Sequence, residues 1–223
     1  IDQKAAKIPF ERIVAEYRPV EPARFVIDTP DKENAMLFAR VDLPANLSDA
    51  DMPALITADW IIGGSDGLSN RIVNRLRQKE GLSYGSGSNI TLPSFGNRAK
   101  WSVGAIVAPQ NLAQAEKSLK DELARAYRDG ITEAELAEAK RGIIGSRAVN
   151  RAQDGMVASN WVNNLETGRT WQFSKETEAA IEALTVEDVN KALRRFCDVS
   201  KLTFALAGDL AKAKAAGKDF TQP

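Results

Sequence analysis

Residues 61–90 read I-I-G-G-S-D-G-L-S-N-R-I-V-N-R-L-R-Q-K-E-G-L-S-Y-G-S-G-S-N-I, and the rest of the chain is read outward from them. Gly63-Gly64-Ser65-Asp66-Gly67 cannot carry a helix onward and must turn. Ser69–Glu80 predicts a short helix: Ile72, Val73 and Leu76 fall at i, i+1 and i+4, and Arg71, Arg75, Arg77, Lys79 and Glu80 supply its polar surface. Gly81 stands where a glycine ends a helix. Leu82–Ile90 then predicts a strand, with Tyr84 at its start. Arg77 therefore lies in the last helical turn and Tyr84 enters the next strand seven residues on. A tight turn between the two can aim a guanidinium and a phenol at one point, where they could hold a peptide carbonyl or a developing oxyanion. Each residue also has an ordinary reading. The helix dipole favours an arginine in a last turn, and a tyrosine at a strand start commonly packs.

Upstream, residues 1–24 are polar and punctuated by Pro9, Pro19 and Pro22, which predicts an extended lead-in or linker tail. Arg24–Asp28 predicts a strand and Thr29-Pro30-Asp31-Lys32 a turn. Ala35–Leu43 is a second strand, more apolar than strict alternation gives, so it belongs in the centre of its sheet. Ser48–Ile62 predicts a helix capped by Ser48 or Asp49, with Pro53 tolerated in its first turn.

Downstream, Arg98–Ala108 pairs with the preceding strand through a hairpin loop at Pro93-Ser94-Phe95-Gly96-Asn97. Trp101, Val103, Ala105 and Val107 share one of its faces. Asn111–Asp129 carries an amphipathic stripe of Leu112, Ala115, Leu119, Leu123, Ala126 and Tyr127. Thr132-Glu133-Ala134-Glu135 forms a capping box for a helix running to about Gln153, with Leu136, Ile143, Ile144 and Ala148 inward. Helices follow over Gly155–Glu166, Trp171–Leu184 and from Thr185 to about Phe196. Lys201–Ala207 is a closing strand, and residues 211–223 read as a fraying tail. The order β-β-α-α-β-β-α-α-α-α-α-β predicts an α+β, two-layer domain over residues 25–210, with a mixed or antiparallel sheet and helices packed on one face.

Composition narrows the chemistry. The chain has 223 residues, 30 basic and 30 acidic, and a net charge of zero. No basic excess points to nucleic acid, and no apolar run approaches the length of a membrane span. The chain starts without a methionine, and the expectation is a mature fragment or a piece of something longer. There is no histidine. That excludes a zinc site of ordinary ligand set and any Ser-His-Asp or Cys-His pair within this chain. Cys197 reads as a small buried apolar residue. Glu133, Glu135 and Glu138 read as a solvated face, and no metal site is expected. The glycines of the 63–67 run lack the Lys-Ser/Thr of a phosphate loop, and a helix rather than a strand precedes them. Gly85, Ser86, Gly87 and Ser88 are small enough to let a ligand or another backbone approach, or simply mark an edge or bend.

L-R-Q-K-E-G-L-S-Y-G, residues 76–85, resembles the C-terminal-half motif of the insulinase/pitrilysin family of zinc metallopeptidases, L-R-x-K-x-x-L-x-Y. The preceding G-G-S-D-G-L-S-N-R resembles that family's G-G…S-R-L run, and weaker similarity to bacterial members extends over most of the chain. The resemblance implies the zinc-free C-terminal domain of a bacterial metallopeptidase. It implies that Arg77 and Tyr84 reach across a clamshell to a peptide substrate held at a zinc ion. It places that zinc, with the family's H-x-x-E-H motif, in an N-terminal half on the same chain or a separate subunit. This chain would hold no cofactor and would be inactive by itself. The resemblance is compatible with a periplasmic location. Two other readings stay open: a catalytically inactive peptide-binding or scaffolding subunit of the same fold, and a general α+β interaction domain.

Overall fold

The computed structural model describes residues 11–64, 69–217 and 221. The turn at Ser65-Asp66-Gly67 and the ends of the lead-in and tail lie outside the described residues. Five strands form one sheet: β1 (Arg24–Asp28), β2 (Ala35–Pro44), β3 (Ser83–Thr91), β4 (Arg98–Val107) and β5 (Thr203–Gly208). Their spatial order is β1-β5-β2-β4-β3. β1 runs parallel to β5, and every other pairing is antiparallel. The sheet is mixed, and β2 is its central strand.

Strand alternation puts Leu37, Ala39, Trp101, Val103, Phe204 and Leu206 on one face, where all are buried. The helices lie on that face. α1 (Met52–Ile62), α3 (Leu112–Asp129) and α7 (Val186–Phe196) supply Leu55, Leu119 and Leu193 to the same core, and α4 (Glu133–Arg151) adds Leu136. Phe25, Ile27, Met36, Phe38 and Ile106 look out from the other face and stay exposed. One dry face and one open face make the predicted two-layer α+β domain.

Several helix ends follow local chemistry. Thr132 and Thr185 each close a capping box, with Glu135 and Asp188. Gly168, at φ 66°, caps α5 (Asp154–Thr167) in the left-handed conformation before α6 (Trp171–Ala183) begins.

Other boundaries differ from expectation. α1 begins at Met52, not Ser48, because the Asp49 carboxylate turns back to accept the Asn46 N–H. Asp51 precedes the helix without capping it and instead meets Arg195. Pro53 does sit in the first turn. Ala148, expected inward, is exposed, because α4 outruns the core beyond Ile143. Part of the stretch read as a fraying tail is helical: α8 (Leu210–Ala215) is capped by Asp209 and buries Ala213.

Residues 11–23 have no regular structure, yet they are tied down. Tyr17 N–H donates to Asn97 Oδ1 at 2.8 Å, and Arg12 stacks over Phe95 and pairs with Glu166. Among the described residues, no helix is long and apolar enough to cross a membrane.

Candidate functional site

The segment after the glycine corner starts as expected and then departs from an α-helix. Asn70 caps it, its side chain accepting from Val73 N–H at 2.9 Å. Only Arg71–Val73 (α2) is α-helical; Asn74–Lys79 winds as a π-helix. A π turn widens the coil by one residue and commonly marks a functional site. Arg77 lies within it. The wide turn closes through Gly81 N–H to Arg77 C=O at 3.2 Å and Leu82 N–H to Leu76 C=O at 2.7 Å. Gly81 has φ 62°, so the terminating role read from the sequence is the one it fills.

The following strand carries a second irregularity. In the β3–β4 ladder Ser83 pairs with Val107 and Gly85 with Ile106, which leaves Tyr84 as the extra residue of a β-bulge. Ser83 holds the bulge in place. Its Oγ lies 2.9 Å from Gly85 C=O and 2.8 Å from Ile106 C=O, within reach to donate to either. A bulged residue does not follow the alternation of its strand. Tyr84 is accordingly 85% exposed, which rules out the ordinary packing role.

These two irregularities bring the residues together. The guanidinium carbon of Arg77 lies 4.7 Å from the Tyr84 ring centroid. At this distance a cation–π contact restrains both side chains. Among the described residues neither the Arg77 guanidinium nor the Tyr84 hydroxyl has a hydrogen-bond partner. The arrangement is a stacked fork and phenol with their donors facing solvent.

What surrounds the pair is rigid. Arg71 makes a bidentate bond to Glu135, at 2.6 and 2.7 Å, and donates to Gly130 C=O at 2.8 Å. Glu80 bonds Ser118 Oγ at 2.6 Å and pairs with Arg75. Behind the corner, Asp59 of α1 is 8% exposed. Its carboxylate accepts from Ser88 Oγ, Trp101 Nε1 and Ile90 N–H, at 2.6, 2.9 and 3.2 Å. Burial pushes the Asp59 carboxyl above the usual range despite those three bonds. Gly63 C=O accepts the Ser88 N–H at 2.7 Å. The small residues of β3 thus divide. A Cβ on Gly87 would lie 2.7 Å from Gly63 O, so its smallness serves this chain's own backbone. A Cβ on Gly85 would meet nothing within 4 Å, so space remains beside Tyr84.

The acidic residues of α4 are less uniform than expected. Glu133 and Glu138 are exposed, as a solvated face requires, with Glu138 accepting from the equally exposed Ser69 Oγ, whereas Glu135 is half-buried, holds Arg71 and caps its helix. No group of three or more potential metal ligands occurs among the described residues. Cys197 is buried, and that burial, with Asp59 nearby, pushes its thiol well above the ordinary range, consistent with an inert apolar role.

The profile of the family described as "Peptidase M16 inactive domain" matches residues 1–143. The chain belongs to the peptidase M16 inactive-domain family. The resemblance carried by residues 76–85 is thereby borne out. Solved structures agree on the fold of this M16 domain. A peptidase M16 inactive domain from Pseudomonas fluorescens superposes with a TM-score of 0.80 at 23% identity, over 91% of this chain and 47% of the other. A protease from Helicobacter pylori gives 0.76 at 19% identity, over 93% and 48%. The inactive peptidase domain of a putative zinc protease from Bordetella parapertussis gives 0.65 at 19% identity, over 78% and 91%. The M16 domain spans about half the length of the first two. No curated protein sequence matches it.

The bulge, the π turn and the buried Asp59 were not read from the sequence. Gly85 inside a strand pattern was the available signal for the bulge. Nothing local distinguishes Asn74–Lys79 from an ordinary amphipathic helix.

Proposed function

We propose that this M16 domain closes over an extended peptide and presents Tyr84 and Arg77 to it, completing the site of a zinc metallopeptidase whose metal is held elsewhere. The Tyr84 hydroxyl donates to the scissile carbonyl oxygen as negative charge develops there. Arg77 donates to a neighbouring backbone carbonyl or carboxylate of the substrate. The residues of this chain do not fit a zinc site, since it has no histidine and no ligand cluster among the described residues. The reading therefore assigns the zinc to an N-terminal half, on the same chain or a separate subunit, and this domain alone is inactive. The observation that carries the reading is the stacking of Arg77 on an exposed, bulged Tyr84, with no hydrogen-bond partner for either donor set among the described residues. A pair held in place before the substrate arrives loses little freedom on binding it.

The test uses the enzyme in which this domain is joined with its zinc-bearing half. Tyr84→Phe and Arg77→Ala should each lower kcat by about 10²–10³ with unchanged zinc content, as expected for one lost preorganised donor. Parental rates in both variants would refute the assignment. A second reading, an inactive binding or scaffolding subunit of the same fold, draws support from α5. None of its residues is buried, and Leu165 is 73% exposed. On that reading both variants bind peptide as the parent does and no turnover is found.

A further inference from the structure

The open face of the sheet carries two hollows that meet at Phe38. The first, of about 320 Å³, lies over β2, β4 and β3 and begins at Gly85, the residue after Tyr84. Met36, Phe38 and Ile106 supply its apolar surface, and no ionisable side chain lines it. The second, of about 750 Å³, lies over β1, β5 and β2, between Phe25, Phe38 and the lead-in residues 17–22. Its lining is charged and unbalanced: Arg18, Arg40, Arg98, Arg195 and Lys201 stand against Glu21 and Asp42, five cations to two carboxylates. Asp42 is already shared between Arg40, at 2.8 and 3.2 Å, and Arg98, at 2.5 Å, so one carboxylate answers two guanidiniums. Arg195 turns outward to Asp51. Arg18 and Lys201 have no side-chain hydrogen bond or ion pair among the described residues.

An apolar floor that starts beside Tyr84 and ends in an excess of cations selects one kind of occupant. We propose that the open sheet face is the path of the bound peptide. Apolar side chains settle over Ile106, Met36 and Phe38, and an acidic side chain farther along is taken by the cationic hollow over β1 and β5. This rests on the assignment of Arg77 and Tyr84 as the point that holds the peptide. Strand register sets Tyr84 level with Met36 and the cations level with Arg40 to Asp42, so the second hollow lies two to four inter-strand spacings of about 4.8 Å across the sheet and about 13–20 Å along it, a diagonal of about five to eight residues of extended chain. The domain therefore prefers substrates with Asp or Glu about five to eight residues from the residue held at Tyr84. Arg18 and Lys201, which make no side-chain hydrogen bond or ion pair among the described residues, are the charges that read it, and long-range attraction of this kind weakens as salt rises.

The test measures binding of fluorescein-labelled peptides to the enzyme that contains this domain, by anisotropy at low and high salt. A peptide with an apolar centre carries one Glu walked from the second to the eighth place beyond it, with Gln and Lys counterparts and with free or amidated carboxy-termini. Glu about five to eight places along should bind about tenfold tighter than Lys, and the gap should narrow with salt. Arg18→Glu with Lys201→Glu should abolish or invert the gap, read as the ratio of the Glu peptide's Kd to that of the Lys peptide with the same label, so that any general change in affinity cancels. Both side chains are exposed and neither is in an ion pair among the described residues, and thermal unfolding of the double variant checks that the fold is kept. Equal affinity for Glu and Lys peptides, or a preference that survives the double reversal, overturns the proposal. A preference that follows only the free carboxy-terminus, at any length, overturns the internal acidic occupant. Turnover by Tyr84→Phe, measured on the Gln peptide, separates the two readings. Reduced turnover with no charge preference leaves the Arg77–Tyr84 site standing and the acidic subsite refuted; unchanged turnover with a clear preference does the reverse.

Discussion

The Arg77 guanidinium carbon sits 4.7 Å from the centroid of the Tyr84 ring, across a junction where a π turn runs into a β-bulge. Each irregularity shifts one residue out of the place that regular geometry would give it. Tyr84→Phe keeps the ring under the cation and removes only the hydroxyl. Since the side chain is exposed, its effect on stability should stay within about 0.5 kcal/mol. Thermal unfolding of the parent and Tyr84→Phe should therefore coincide, and any loss of kcat reports the hydroxyl itself. A large drop in Tm would mean that Tyr84 is a structural residue.

Ser83 is the side chain that fastens the bulge. Ser83→Ala removes the hydroxyl lying between Gly85 C=O and Ile106 C=O, which should cost about 1 kcal/mol in urea unfolding. If the bulge places Tyr84, the variant also lowers kcat without a matching rise in KM. A variant that loses stability but keeps full kcat would uncouple the bulge from the site.

Gly63 tests the corner behind the site. A Cβ there would lie 2.5 Å from Ser88 N and 2.7 Å from Ser88 Oγ, on the strand that carries Tyr84. Gly63→Ala should destabilise by about 1–3 kcal/mol, as overpacking does. Gly85→Ala, where the added atom meets open space, is the control and should be close to neutral. Equal denaturation midpoints for the two variants would contradict the close approach.

Acid stability should depend on Glu116. Burial tends to raise its carboxyl, but the bonds from Arg24, at 2.8 and 2.9 Å, and from Lys120, at 2.7 Å, outweigh it and hold the carboxyl below the ordinary glutamate value of 4.5. A pKa lowered in the folded state stabilises the protein above the unfolded value. That contribution disappears as the pH falls through the folded value. Stability should therefore decline below about pH 4.5, and Glu116→Gln should show a shallower decline over the same range. Parallel pH profiles of the two proteins would count against this ion pair.

The insulinase-like motif placed Arg77 and Tyr84 seven residues apart, and the glycine between them marked the turn. Strand and helix order followed from apolar periodicity, because burying one face of a strand or helix leaves a repeat of two or of about 3.6 in the chain. The capping boxes at Thr132 and Thr185 were legible for a similar reason: all their partners lie within four residues. The start of α1 was misplaced because Ser48, Asp49 and Asp51 are all good caps locally, and the choice was made by Asn46 and Arg195.

The sequence by itself determined the element order, the α+β class, the family motif and the absence of a histidine-based metal site, since each is written in residue types and short spacings. Only the tertiary structure decided that Tyr84 stands out of its strand, that Arg77 lies against it, and that the cationic lining gathers residues from 18 to 201. A bulge is a property of the pairing between β3 and β4, not of β3 alone. A stacked cation and a shared hollow depend on groups brought together through space, and one-dimensional spacing carries no trace of them.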